Sequence, residues 1–249
     1  MGRTYEALQK AEKDYMQLAN TSTTEGLWRY RRQVPGPVSN KDGKEYYHTL
    51  KANLFTLHAD KTIRTILFCS TDHGEGSTTT ATNFAATLAG NPQSKVLIVD
   101  ANFRTPGLHD VCQIEFTPGL ADYVGNGGNN PVLPFVWKGW TNLYVLPCGS
   151  YHSGPVSLFE AKRFSEFLQE MREQFDYVIL DGPPLPRFSE MRVMCTKVDG
   201  VVLVVKAGKT KREVALRAKK ELEDAGGKIL GVVINKRKFY IPEWLYRRL

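Results

Sequence analysis

From residue 65 onward the chain switches repeatedly between two hydrophobic rhythms. Short runs rich in Val, Ile and Leu, with little alternation, fall at Thr65–Ser70, Val96–Asp100, 143–147, Tyr177–Asp181, 200–205 and Ile229–Asn235. Runs of this kind predict strands buried on both faces of a parallel sheet. Between them, apolar residues recur at helical spacing: Ala81, Phe84, Ala85 and Leu88; Phe164, Phe167, Leu168 and Met171; Ala215, Ala218, Leu222 and Ala225. Strand alternating with helix predicts a doubly wound α/β domain, a mainly parallel sheet between two helical layers, with Thr65–Ser70 central. Ligands in such sheets sit at the carboxyl ends of the strands.

The first sixty residues have another character. Residues 4–18 carry a helical stripe of Leu8, Ala11, Tyr15 and Leu18, with Thr4 placed to cap it. Residues 20–43 are polar, contain Pro35, Gly36 and Pro37, and read as a linker with a basic-aromatic cluster, Arg29, Tyr30, Arg31 and Arg32. Residues 44–57 predict an amphipathic helix with Tyr47, Leu50, Leu54 and Leu57 on one face, and Glu45, His48 and Lys51 three apart on a neighbouring one. The chain therefore divides into an N-terminal helix and linker, 1–43, and a domain, 44–249.

The chemistry concentrates in residues 66–88, ILFCSTDHGEGSTTTATNFAATL. Strand, glycine turn and helix is the layout of a phosphate-binding loop, in which backbone N–H groups and the helix N-terminus close around phosphate oxygens. Set against G-x-x-x-x-G-K-[ST], residues 71–78 read T-D-H-G-E-G-S-T: Gly76 and Thr78 fit, Thr71 replaces the first glycine, and Ser77 replaces the lysine. That lysine cradles the β- and γ-phosphates, which a serine hydroxyl cannot do as a charge. Gly74, Glu75, Gly76, Ser77, Thr78 and Thr79 are the candidate nucleotide-binding residues, with Asn235 at the end of the last strand. Asp100 and Asp181 each end a buried strand, and with the Thr78 hydroxyl they are the candidate Mg²⁺ ligands, directly or through water.

Composition narrows the partners without choosing one. A net charge of +7 favours anions: nucleotide, acidic protein tails, lipid headgroups or DNA. No run approaches the ~18–20 apolar residues of a membrane span, and MGRTYEALQKAEKDY lacks the apolar centre of a signal peptide. Gly2 is followed at position 6 by Glu, not the Ser or Thr of a myristoylation signal. Cys69, Cys112, Cys148 and Cys195 are widely spaced and read as buried free thiols.

In order along the chain, YEALQKAEKDY, KEYYHTLKANLFT, GEGSTTTATNFA, VLIVDANFRTPGLH, TPGLADYV, NLYVLPCGS, FDYVILDGPP, VDGVVLVVKAGKTKRE and ILGVVIN resemble the segments of the bacterial tyrosine kinases of capsule and exopolysaccharide assembly. These are P-loop NTPase-type proteins related to partition and division-site ATPases. The resemblance implies ATP or ADP and Mg²⁺ as cofactors and catalytic roles for Asp100, Asp181 and Arg104. It implies a subunit ring built on the helix bearing Glu45, His48 and Lys51, and tail tyrosines, here Tyr240 and Tyr246, as phosphoacceptors. It also implies a partner, a membrane-bound polysaccharide chain-length regulator whose cytoplasmic tail docks on the domain, and so a cytoplasmic place at the inner face of the plasma membrane. Nucleic acid is not an expected partner.

The departures are as specific as the matches. Ser77 stands for the loop lysine, Asn102 for the second aspartate of D-x-D, and His48 and Lys51 for the two arginines of the oligomer helix. Three functions fit: a degenerate kinase acting as regulator or scaffold with weak nucleotide binding; an active autokinase whose missing charge comes from Lys206, Lys209, Lys211 or Arg104; or a partition-type positioning ATPase. Ser77 and Asn102 favour the first over the second. The N-terminal segment and the helix at 44–57 favour the first two over the third.

Overall fold

A computed structural model describes residues 41–59, 62–125, 134–150, 155–160, 162–185 and 189–237. These lie in one compact unit, Pro35–Leu249. The stripe at 4–18, the cluster Arg29 to Arg32, Tyr240 and Tyr246 fall outside the described residues.

The chain runs α1 (Lys41–Leu57), β1 (Thr65–Ser70), α2 (Ser77–Ala89), β2 (Val96–Asp100), α3 (Leu108–Cys112), α4 (Leu120–Gly125), β3 (Phe135–Val136), β4 (Leu143–Leu146), α5 (Pro155–Glu160), α6 (Lys162–Gln174), β5 (Tyr177–Asp181), α7 (Glu190–Met194), β6 (Gly200–Lys206), α8 (Arg212–Asp224) and β7 (Ile229–Asn235). Among the described residues the strands form a sheet in the order β3-β4-β2-β5-β1-β6-β7. Only β3 runs antiparallel. The doubly wound, three-layer reading holds. The midpoint of the sheet is β5, with β1 beside it, so Thr65–Ser70 is interior but not the central strand.

The uninterrupted apolar runs follow from burial on both faces. Ile66 and Phe68 of β1, with Ile98, Ile179 and Val202, pack under Ala81, Phe84, Ala85 and Leu88 of α2 and Leu54 of α1. Leu67 and Cys69, with Leu97, Val99, Leu180 and Leu203, face the opposite layer, where Phe164, Phe167 and Leu168 of α6 and Ala218 and Leu222 of α8 cover them. All four cysteines are free and buried, and burial pushes the thiol pKa of Cys69, Cys112, Cys148 and Cys195 upward.

Two expectations fail at the sheet's margin. The run Ile229–Asn235 is not a fully buried strand. As an outer strand with one neighbour it alternates, leaving Val232 and Ile234 exposed. Leu57, placed on the buried face of α1, is also exposed, because the helix ends there.

Candidate functional site

Sheet register assembles the site. β5 pairs with β2 on one side and β1 on the other, bringing Asp181 opposite Asp100 and Phe68. The two aspartates and the turn after Ser70 therefore share the carboxyl edge of the sheet.

The turn is a glycine device. Gly74 and Gly76 have φ of 77° and 96°, the left-handed region that favours glycine. Gly76 also carries Asn235 close against it: a Cβ there would lie 2.3 Å from the Asn235 Nδ2 atom. Asn235 uses that amide to donate to the Glu75 carbonyl at 2.9 Å, so its side chain braces the loop. α2 opens at Ser77 with Gly76 as its cap. Its Thr-rich sequence stays helical despite weak propensity because its apolar face is buried, while Thr80, Thr82 and Thr87 satisfy their hydroxyls by donating to carbonyls four residues back.

Glu75 is buried and its carboxylate turns into its own loop. It accepts from the Thr71 N–H at 2.7 Å, the Asp72 N–H at 3.0 Å and the Thr71 hydroxyl, and from the Thr210 hydroxyl and the Lys206 N–H across the β6–α8 turn. Its side chain shapes the loop and faces away from the cavity. Only its backbone N–H could serve a nucleotide.

Asp100 and Asp181 are both buried but partnered differently. Asp100 accepts from the Asn102 N–H at 3.1 Å and from the Gly107 and Leu108 N–H groups at 3.0 Å each. Asp181 accepts from the Ser77 hydroxyl at 3.3 Å on Oδ1, and its Oδ2 has no hydrogen-bond partner among the described residues. Burial raises the pKa of both carboxyls. The charge of Asp100 raises Asp181 further, and the Thr78 and Ser77 hydroxyls pull it part of the way back. A buried carboxylate oxygen left open beside two hydroxyls fits Mg²⁺, which keeps waters and takes one or two carboxylates plus phosphate oxygens. Asp181 with the Thr78 hydroxyl would hold the ion; it would neutralise phosphate charge there.

A cavity of about 260 Å³ is lined by Ser70, Gly74, Ser77, Thr78, Asn102 and Lys236, among others. Asn102 keeps its amide in a local turn with Thr105. Arg104 does not line this space: its Nε donates to buried Glu190 at 2.8 Å. Lys209 pairs with Asp72 at 3.5 Å, and Lys211 caps α8. On α1, Glu45 and His48 are exposed and Lys51 is half-buried. Sequence reasoning missed the Glu75–Thr210 link and Lys236. The one signal for Lys236 was its place just after Asn235, at a strand's carboxyl end.

Parallel strands, glycine turn, buried helix and carboxylates at adjacent strand ends define a P-loop NTPase-type α/β domain. The chain is 31% identical over 211 residues to the tyrosine-protein kinase YwqD of Bacillus subtilis, covering 84% of this chain and 88% of that protein, and it belongs to the bacterial tyrosine-protein kinase family. The crystal structure of the chimerical protein CapA2B2 superposes with a TM-score of 0.73 at 25% identity, covering 78% of this chain and 85% of that one. The kinase domain of the Escherichia coli tyrosine kinase ETK shares the fold, with a TM-score of 0.74 at 22% identity over 86% of this chain and 87% of that one. No protein-family profile matches the chain. Among the described residues no helix is long and apolar enough to cross a membrane.

Proposed function

We propose that this chain is a degenerate member of its family: a regulator or scaffold of capsule or exopolysaccharide assembly that binds ADP or ATP weakly and transfers phosphate poorly. The observation that carries this is the position of Ser77. Where the loop lysine of the motif would extend toward phosphate, the Ser77 hydroxyl turns back to Asp181 Oδ1 at 3.3 Å. Phosphoryl transfer depends on positioning and on charge stabilisation. Removing one preorganised charge contact costs about 3–4 kcal/mol, or roughly a hundred- to thousandfold in rate. Binding is less sensitive, because the loop's backbone N–H groups and the N-terminus of α2 remain.

In this reading Asp181 and Thr78 hold Mg²⁺, and Asp100 supports the strand end. Tyr240 and Tyr246 are poor phosphoacceptors for want of transfer. The partner is a membrane-bound chain-length regulator, and through it the chain sits at the inner face of the plasma membrane. Any ring through Glu45, His48 and Lys51 is weak, since His and Lys lack the planar bidentate carboxylate contact of arginine. The kinase-like domain is 44–249, preceded by the segment at 1–43, and α1 starts three residues ahead of that boundary, at Lys41.

The test is a restoration. Titrating ADP with and without Mg²⁺ should show weak binding in the parent. Ser77→Lys should tighten it at least tenfold, about 1.4 kcal/mol. Ser77→Lys with Asn102→Asp should bring back autophosphorylation. A parent protein that already modifies its own tyrosines at ~1 per second or faster, a typical kinase rate, would end the proposal.

A further inference from the structure

Lys236 follows the last residue of β7 and is held in an uncommon backbone conformation. Its φ is 56°, in the left-handed region where glycine is the usual occupant. Its N–H is steadied by the Asn235 Oδ1 at 2.8 Å. This turn sends the side chain back across the loop, where Nζ donates to the Gly74 carbonyl at 2.7 Å. The stem crosses over Gly76: a Cβ on that glycine would lie 3.6 Å from the Lys236 Cε atom. The absent side chain at Gly76 thus makes room for Asn235, with the Lys236 stem at van der Waals distance beside it.

Two cavities meet at this residue. Lys236 lines the small polar space beside Ser70, Gly74, Ser77 and Thr78, whose size suits phosphate groups. It also lines a larger groove of about 910 Å³, mostly apolar, bordered by Tyr46, Tyr47, Leu50, Val205 and Val233. Among the described residues no carboxylate pairs with its ammonium. Two of the cations that the sequence offered are engaged elsewhere, Arg104 with Glu190 and Lys209 with Asp72. Lys206 borders the larger groove, and of the groove's cations Lys236 is the one that also lines the small polar space.

We infer that Lys236 is the phosphate-binding cation of this loop, delivered from the end of β7 in place of the side chain that Ser77 does not supply. The ligand class is a nucleoside di- or triphosphate, with the phosphates between the loop and the Lys236 ammonium. A lysine suits the position because its flexible stem and three donors let Nζ keep the Gly74 carbonyl while donating to a phosphate oxygen. The inference rests on the nucleotide-binding reading above and adds the origin of its positive charge.

ADP and adenosine titrations test it on the parent, Lys236→Ala, Lys236→Arg, and Lys219→Ala as a control that removes a charge from α8. Lys236→Ala should weaken ADP about tenfold, equivalent to about 1.4 kcal/mol, and leave adenosine unchanged. Lys236→Arg should keep most of the ADP affinity, and Lys219→Ala all of it. In a Ser77→Lys background the loss from Lys236→Ala should shrink, because two cations then serve one group. A parent that binds ADP while Lys236→Ala binds it within twofold as well overturns the role of Lys236 alone. Equal losses of ADP and adenosine do the same, since they point to a damaged groove. A parent that binds no ADP removes the nucleotide reading and this inference together.

Discussion

The ends of β2 and β5 carry the same signal and do different work. Each is an apolar strand closing on an aspartate, and the two aspartates sit opposite each other in register. Asp100 is saturated by three backbone N–H groups and fixes the turn leading into α3. Asp181 has only the Ser77 and Thr78 hydroxyls beside it, Ser77 at 3.3 Å, and a buried Oδ2 with no hydrogen-bond partner among the described residues. A strand-end carboxylate can be a piece of architecture or a group kept available to a ligand. What separates them is how many donors the following turn delivers.

The two aspartates should differ most in what they contribute to stability. Asp100→Ala should strand three backbone donors, at about 1–3 kcal/mol for each one left unsatisfied. Urea denaturation should therefore show a loss of about 3 kcal/mol or more. Asp181→Asn should cost less than about 1 kcal/mol at neutral pH, because the open oxygen has little to lose. Equal losses would erase the distinction.

Metal dependence sharpens the contrast at smaller amplitude. Mg²⁺ should tighten ADP binding to the parent by up to tenfold, about 1.4 kcal/mol. Asp181→Asn should abolish that gain, as read by calorimetry at fixed ADP. A gain that survives Asp181→Asn would move the ion to another carboxylate.

The last contrast is in pH dependence. Folding raises the carboxyl pKa of Asp181 above its ordinary 3.8, by burial first and then by the charge of Asp100. The folded state therefore holds this proton more tightly than the unfolded chain. The contribution to stability is full below the ordinary value and is lost as pH rises through the raised one. Melting temperature measured from pH 4 upward should fall more steeply in the parent than in Asp181→Asn, in which that proton no longer titrates. Parallel curves would place the titrating group elsewhere.

Most of the scaffold was legible in sequence because periodicity reports burial, and burial fixes the interior strands and the α2 face. The serine at 77 was equally plain. What the sequence hid were contacts between residues distant along the chain. Arg104 looked like a free site cation, yet Glu190, 86 residues away, takes it. Lys236 reaches Gly74 across 162 residues through a left-handed turn that no local pattern announces. β7 reads like its buried neighbours; only its place at the sheet's margin exposes Val232 and Ile234.

The inward turn of Glu75 has a consequence for timing. By joining Thr71 and Asp72 to the Thr210 hydroxyl and the Lys206 N–H, it sets the shape of the glycine turn before any ligand arrives. A loop that must be ordered on binding charges that entropy against affinity; one already in shape does not. Rigidity that the sheet supplies in advance would support the nucleotide binding proposed above. Encounter with an anion then needs little rearrangement of the loop backbone.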